Sequence, residues 1–407
     1  MSLVVQKYGG TSVGDAERIL HVAARIAARA EGGNRVVAVV SAMGNSTDEL
    51  HALAREVSQN PHPREMDVLL ATGETRSSAL LSMALDDLGC SAVSLSGAQA
   101  GIRTDTVYGR ARIADINTTR IEQELSADRV VIVAGFQGIS EELDITTLGR
   151  GASDTTAVAL AASLQANACE IYTDVAGIYS ADPRVCPSAR PLKDIGYDEM
   201  LELATTGAGV MHSRAVEIAA LYDVEVLVMS SFDDSMPGTV IRAEATMEQA
   251  SKVRGIAHQN HIAKVTIRGV PDRPGIAAEL FEPLANAGVS VDTIVQNASV
   301  EDLTDMTFTL NQSDLEAAVQ TVEASLPAIG ASEVVTDPDL GSVSIVGTGM
   351  ATSPGYAARM FRTLHEHEIN IELISTSEIR ITCIVDADQV ANAVEALHDA
   401  FELDRED

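Results

Sequence analysis

Apolar positions at the start of the chain fall in short unbroken runs separated by longer amphipathic stretches. Leu3-Val4-Val5 is such a run, and it predicts a buried parallel strand stopped by Gly9–Gly10. Asp15–Ala30 predicts an amphipathic helix, and Arg35–Val40 a second buried strand. A polar-amphipathic helical region follows. Glu65–Ala71 then leads through Thr72-Gly73-Glu74-Thr75-Arg76, read as a break at a strand end, into the alanine-rich helix Ser77–Leu88. Ala92–Leu95, Val130–Ala134 and Glu170–Thr173 predict further strands, and Thr155–Leu164 predicts a very apolar helix that Ser153 or Asp154 would cap. The alternation implies an α/β fold with a central, mostly parallel sheet. Ligands of such sheets bind at the carboxyl ends of the strands.

The rhythm changes after about residue 245. A polar connector, Glu244–Arg254, precedes a repeat. Pro274-Gly275 runs through a helix to Asp292, and Pro354-Gly355 runs to Glu372, with the same gapless spacing of 18 residues. Each unit reads strand, Pro-Gly turn, helix, strand, strand, helix, which is a βαββαβ α+β unit. The domains expected are therefore 1–245, a linker over 246–262, and two small units over 263–337 and 338–407. The second unit could be interleaved with the first.

Composition narrows the partners. The chain carries 59 acidic and 28 basic residues, a formal net charge of −31, and only four lysines: Lys7, Lys193, Lys252 and Lys264. Such a surface repels nucleic acid and anionic membranes. It fits either plain solubility or a salt-rich cytoplasm. Cys90, Cys169, Cys186 and Cys383 are scattered without metal-ligand spacing and read as reduced thiols. No apolar run approaches the ~18 residues of a membrane span. A cytoplasmic protein is expected.

Three stretches carry candidate chemistry. In the first, Lys7 precedes Gly9-Gly10-Thr11-Ser12 between a strand and a helix. Unpaired backbone N–H groups, a helix N-terminus and an ammonium together make a phosphate site, unless this is an ordinary tight turn. The second is Gly149-Arg150-Gly151-Ala152-Ser153-Asp154. It reads as a loop before a capped buried helix, or as an arginine clamp for a carboxylate. The third, Tyr172 to Arg184, is a strand end followed by a loop stiffened at Asp182-Pro183.

The stretch K-Y-G-G-T-S resembles the signature of aspartate kinases in the amino-acid kinase family. T-L-G-R-G-A-S-D-T-T and Y-T-D-V-A-G-I-Y-S-A-D-P-R are similar to two further motifs of that family, and the repeated C-terminal units resemble ACT domains, small-molecule sensors that work in pairs. The resemblance covers essentially the whole chain. It implies an amino-acid kinase-like sandwich and phosphoryl transfer from ATP, with Mg²⁺ on its phosphates, to the side chain of L-aspartate. It implies phosphate contacts for Lys7, Gly9 and Gly10, and nucleotide contacts for Thr173, Asp174, Tyr179, Asp182 and Arg184. Arg150 and Thr47 would hold a substrate carboxylate, Glu74 the α-ammonium, and Ser41 and Asp154 would organise the centre. Lysine and threonine are the implied effectors. Their pocket would use Asp272, Gly275, Ile276 and Ala277 with Ser290, Val291, Asp292 and Gln296, and in the second unit Asn370, Ile371, Ser377 and Glu378. A homo-oligomer through the ACT units is implied, with a separate regulatory chain starting at Met247 as a further expectation.

One departure stands out. Many members carry a lysine near the nucleotide where this chain has Gly209. Another amino-acid kinase, acting on glutamate or acetylglutamate, and an inactive amino-acid sensor remain as rival readings of the sequence.

Overall fold

The computed structural model describes residues 2–207, 209–243, 253–297 and 302–405. It divides into two compact units. The first holds residues 1–179, 191–205 and 209–248, and the second holds 180–190, 206–208 and 249–407. Met247 lies outside the described residues.

The first unit opens with β1 (Leu3–Tyr8), α1 (Ala16–Glu31), β2 (Arg35–Val40), α2 (Ser46–Val57) and α3 (Pro63–Asp87). It continues through β3 (Ala92–Leu95), β4 (Ile102–Thr104), β5 (Ile113–Ile116), α4 (Thr119–Ser126) and β6 (Val130–Ala134). Next come β7 (Gln137–Ile139), β8 (Ile145–Thr147), α5 (Ser153–Ser163), β9 (Ala168–Thr173) and β10 (Asp194–Gly196). The last are α6 (Tyr197–Thr205), α7 (Ser213–Tyr222), β11 (Val226–Ser230) and β12 (Thr239–Arg242). Eight strands form one sheet in the order β10-β12-β11-β9-β1-β2-β6-β3. Among the described residues, only β11 and β12 pair antiparallel within it. The central strands are buried almost throughout, and for that reason their sequences are continuous apolar runs rather than alternations.

Two expectations are corrected here, and one sheet is new. The stretch Thr72–Arg76 is not a break but the middle of the 25-residue helix α3. Gly73 sits inside that helix because the helix meets the turn after β2: a Cβ there would lie 2.8 Å from the Ala42 Cβ. Close packing outweighs the roughly 1 kcal/mol that glycine costs a helix interior. Ser153 and Asp154 do not cap α5; its N-cap is Ala152, with no side-chain hydrogen bond. Finally, a second sheet, β5-β4-β7-β8, was not foreseen, because its strands are only three or four residues long.

The second unit contains β13 (Gly255–Pro271), α8 (Ile276–Asn286), β14 (Val291–Gln296), β15 (Leu303–Asn311) and α9 (Leu315–Ile329). It goes on with β16 (Glu333–Val346), α10 (Tyr356–Glu366), β17 (Leu373–Thr376), β18 (Arg380–Asp386) and α11 (Val390–Ala400). All six strands form one antiparallel sheet, β14-β15-β13-β16-β18-β17. Two long strands tie the repeats together. The second half of β13 pairs with β15 and with the first half of β16, while Gly255–Gln259 pairs with Ser342–Val346. Each repeat thus lends the other a strand, and residues 255–262, read as linker, are the start of β13. Gly275 and Gly355 take φ of 92° and 113° at the N-caps of α8 and α10, the left-handed region that explains a glycine in both turns.

Candidate active site

Strand register lines up the candidate residues of the first unit. Lys7 lies beside Val39 of β2 and Ile171 of β9, and Thr173 lies beside Ser230 of β11. The carboxyl ends of β2, β1, β9 and β11 therefore stand side by side at the strand spacing of about 4.8 Å. Ser41 follows β2, Lys7 and Gly9–Gly10 end β1, and Thr173–Asp174 end β9. Lys7 occupies the middle of this row.

The turn after β1 is held tightly. Gly9 N–H donates to the Tyr172 carbonyl at 3.3 Å, and Gly44 N–H to the Gly10 carbonyl at 3.0 Å. A Cβ on Gly10 would stand 2.9 Å from the Ala42 carbonyl oxygen, so no larger residue fits. On Gly9 a Cβ would point to Lys7 Nζ at 3.5 Å, which marks a small space beside the ammonium. The expectation that α1 supplies a phosphate-binding N-terminus fails. Its N-cap is Asp15, which accepts the Arg18 N–H at 2.9 Å, so a carboxylate already occupies the positive end of the helix.

The helix start that faces Lys7 belongs to α5. Lys7 Nζ lies 2.6 Å from Asp154 Oδ1, and the two side chains are 11% and 7% exposed. The other Asp154 oxygen accepts the His212 N–H at 3.2 Å. His212 in turn caps α7 through its ring, accepting the Arg214 N–H at 3.2 Å. Burial pushes the His212 pKa below its usual value, which favours the neutral ring that cap requires.

On the β2 side, Glu74 projects from α3 and is 3% exposed. Its Oε1 accepts the Ala42 N–H at 3.1 Å, while Oε2 has no hydrogen-bond partner among the described residues. Burial pushes its pKa up to about 7, against the opposing pull of the backbone N–H groups. Close by in the same unit, Thr47 and Arg150 line a cavity of about 270 Å³ together with His51, Met66, Asp67 and Phe136. Arg150 is 74% exposed, with its guanidinium 2.8 Å from Asp48. An exposed pair of this kind is worth about 0–1 kcal/mol, so the guanidinium remains available to another carboxylate.

On the β9 side, Thr173 donates to Asp174 at 3.1 Å, and Tyr179 bridges to Pro191. Asp182 and Arg184 belong to the second unit, where they form a hydrogen-bonded ion pair at 2.7 Å. Sequence reasoning passed over two buried acids. Asp67 of α3 accepts N–H groups of Gly109 and Thr147 and the Thr147 hydroxyl, fixing the small sheet to the helix. Glu170 of β9 takes the Gln6 amide at 2.7 Å, Arg29 at 2.6 Å and the Tyr172 hydroxyl at 3.1 Å. The one available signal was an acid set within an apolar run in each case.

In the second unit, Asp272, Ala277, Ser290, Asp292 and Gln296 are exposed, but Ile276 is buried and Val291 packs against the same core. Alternation along β14 turns Val291 inward and Asp292 outward. The side chains of Ile276 and Val291 therefore cannot line a polar pocket, and only their backbone is open to a ligand. In the second repeat Ile371 likewise packs against the core, whereas Asn370, Ser377 and Glu378 are exposed.

Residues 2–230 match the amino acid kinase family, and residues 265–326 and 343–401 each match an ACT domain. Aspartokinase 2 of Bacillus subtilis (strain 168) is 50% identical over 405 residues, covering 100% of this chain and 99% of its own length. The chain belongs to the aspartokinases. It is similar in structure to E. coli aspartokinase III in complex with aspartate and ADP, with a TM-score of 0.83 at 26% identity, covering 98% of this chain and 99% of that one. The same protein in complex with lysine and aspartate gives a TM-score of 0.74 at 26% identity, with the same coverage. The enzyme is thus an ATP-dependent aspartate kinase with ACT-mediated allosteric regulation. No helix among the described residues is long and apolar enough to cross a membrane.

Proposed function

We propose that the row of strand ends divides the two substrates around Lys7, with aspartate on the β2 side and nucleotide on the β9 side. The observation that carries this is the unpartnered, buried Oε2 of Glu74. A buried carboxylate oxygen without a donor calls for a cation, and the α-ammonium of aspartate supplies one. Arg150 and Thr47 then hold a substrate carboxylate at the cavity they line, and Ser41 follows the β2 strand end, its N–H donating to the Tyr8 carbonyl at 3.1 Å.

The nucleophile is the substrate's own side-chain carboxylate, ionised at neutral pH, so the site needs no general base. Its task is to hold two anions together and to stabilise charge on the moving phosphoryl group. Lys7 and the amides of the Gly9–Gly10 turn do so, and Asp154 holds the Lys7 ammonium in place. Thr173, Asp174 and Tyr179 of the first unit take the nucleotide. Mg²⁺, carried on the ATP oxygens, supplies the remaining positive charge. Gly209, where many members have lysine, leaves this work to the other cations.

In this reading 4-phospho-L-aspartate enters lysine, threonine and methionine synthesis in the cytoplasm, and lysine and threonine bind the ACT unit. Copies of the chain pair through that unit, whose edge strands β14 and β17 present exposed Ile294 and Ile374. A hydroxamate assay over aspartate, glutamate and acetylglutamate, with and without lysine and threonine, tests the reading. Turnover confined to aspartate and reduced by either effector is expected. Inhibition by neither removes the effector assignment.

A further inference from the structure

The loop that carries Arg150 is built from permissive backbone. Gly149 and Gly151, on either side of it, take φ of 96° and 75°. Arg150 itself is largely exposed, and among the described residues it pairs only with the exposed Asp48. Nothing next to it therefore aims its guanidinium, and two left-handed glycines leave the loop many conformations. The aim has to come from the backbone on each side. Upstream, Asp67 holds Thr147 at its N–H and its hydroxyl, and the Leu148 N–H donates to the Phe136 carbonyl at 2.8 Å. Downstream, Asp154 accepts the His212 N–H.

Arg214 of α7 adds a hold at the hinge itself. Its Nη1 donates to the Leu148 carbonyl at 2.7 Å and its Nη2 to the Ala111 carbonyl at 3.0 Å. The two acceptors lie on different segments. Leu148 leads into Gly149 and Arg150, and Ala111 follows the turn that contains Gly109. Gly109, Gly149 and Arg150 all line the cavity of about 270 Å³. The segments also approach each other, since a Cβ on Gly149 would stand 3.6 Å from the Gly109 carbonyl oxygen. Behind them Leu148 and Ala111 are buried in one apolar cluster with Leu70 and Phe136. One planar fork thus ties two walls of one cavity, which the single nitrogen of a lysine cannot do. The guanidinium is half-buried, and burial and the neighbouring Arg112 lower its pKa while Glu217 and Asp105 pull it upward. It stays charged, and both bonds go to neutral carbonyls, so a charged donor is committed to the position of backbone.

We propose that Arg214 is a positioning residue for aspartate: by holding the Leu148 and Ala111 carbonyls it fixes the two loops that wall the cavity, and so sets where Arg150 meets the substrate carboxylate. The inference rests on the carboxylate role given above to Arg150. Two further contacts bring the start of α7 to the same loop. The His212 N–H holds Asp154, and a Cβ on Gly151 would stand 3.0 Å from His212 Cδ2. Apolar packing of Leu148 and Ala111 is non-directional, whereas two charge-assisted bonds from one rigid fork fix orientation.

Steady-state kinetics of the full-length enzyme test this with Arg214→Met, Arg214→Lys and Arg150→Ala. Arg214→Met raises KM for aspartate about tenfold, near the lower end for a hydrogen bond to a charged group. KM for MgATP stays within about twofold, which separates aiming of the loop from general damage. Arg214→Lys keeps the charge but serves one carbonyl at a time, and raises KM for aspartate about threefold. Arg150→Ala raises KM for aspartate by itself. Adding Arg214→Met to it raises the value little further, because the contact the loop delivers is already gone. Should Arg214→Met fold poorly, Arg214→Lys carries the test, alone and combined with Arg150→Ala. The inference is overturned if Arg150→Ala raises KM for aspartate while the Arg214 variants leave it unchanged, shift both KM values equally, or add in full to Arg150→Ala. A wild-type KM for aspartate in Arg150→Ala removes the carboxylate reading, and this inference with it.

Discussion

Lys7 at the end of β1 and Asp154 in the first turn of α5 form a nearly buried ion pair, Nζ to Oδ1 at 2.6 Å. The helix begins without a side-chain cap because its N-cap residue is Ala152. Asp154, two positions on, turns to Lys7 and to the His212 N–H. The pair places a fixed ammonium at the centre of the strand ends.

Lys7→Ala should lower kcat by about 10²–10³, the usual loss on removing one group that stabilises transition-state charge. It should also destabilise the fold by about 3–5 kcal/mol, because Asp154 is left buried without its partner. Lys7→Ala combined with Asp154→Asn should recover most of that stability and none of the activity. Thermal melts and initial rates on the single and double variants separate the two effects. If the double variant stays as unstable as Lys7→Ala, the ion pair is not what holds this corner.

Glu74 gives a prediction in pH. Its pKa is raised to about 7 in the fold, so the folded state holds the proton more tightly than the unfolded chain. Its contribution to stability is present at low pH and is lost as pH rises from about 4.5 toward 7. Above pH 7 the ionised buried carboxylate costs the aspartate-free enzyme up to about 3 kcal/mol. Glu74→Gln should therefore raise the melting temperature at pH 8 and not at pH 5. In the wild type, KM for aspartate should climb as pH falls below about 7, approaching tenfold per pH unit, because a protonated Glu74 cannot pair with an ammonium. A flat KM between pH 6 and 8, with Glu74→Gln no more stable than wild type, would remove the assignment.

How much of this was legible depends on whether the cause is local. β1, β2, β6 and β9 were readable because a strand buried on both faces is a near-continuous apolar run, interrupted here by Gln6 and Lys7 in β1 and Glu170 in β9. The gapless spacing from Pro274-Gly275 and from Pro354-Gly355 exposed the ACT repeat. That the two repeats could be interleaved was expected, but which strands they exchange, β13 and β16, was not visible, because pairing partners leave no mark in a strand's own pattern. Gly73 read as a breaker since its reason, the approach to Ala42, lies in a distant turn. Among the candidate site residues, Lys7, Glu74, Arg150 and Asp154 stood out in the sequence as residue types in motifs. The pairing of Lys7 with Asp154, and the structural acids Asp67 and Glu170, needed the fold.

The charge balance predicts salt-dependent stability. With 59 acidic and 28 basic residues, carboxylates repel one another across the surface, and salt screens them, with a Debye length of about 3 Å at 1 M. The melting temperature should be higher in 2 M KCl than in 0.1 M. An equal or lower value would show that the surface is not tuned to salt.

The effector site gives the last prediction. Asp272 sits exposed where β13 turns toward α8, with its N–H donating to the Asp302 carbonyl at 2.8 Å. Gly275 starts α8 in the left-handed region without a side-chain cap; the Ile276 N–H donates to the Arg273 carbonyl at 3.3 Å, which leaves the next N–H groups of the first turn, those of Ala277 and Ala278, for a carboxylate. Arg273, the nearest cation in the turn, is already in a two-bond pair with Glu279 and does not neutralise Asp272. An amino acid bound here would meet a carboxylate for its ammonium and a helix N-terminus for its carboxylate within one turn. With the proposed effector site in the ACT unit and the proposed aspartate site in the kinase unit, inhibition is a coupling between two distinct sites, about 1–3 kcal/mol. Asp272→Ala should then weaken inhibition by lysine or threonine at least about fivefold, the lower end of such a coupling. Uninhibited kcat and both substrate KM values should match the wild type, because no substrate contact is touched. The concentration of effector giving half inhibition, measured on both proteins, decides it. If Asp272→Ala is inhibited like the wild type, the effector lies elsewhere, and Asn370, Ser377 and Glu378 of the second repeat become the residues to change.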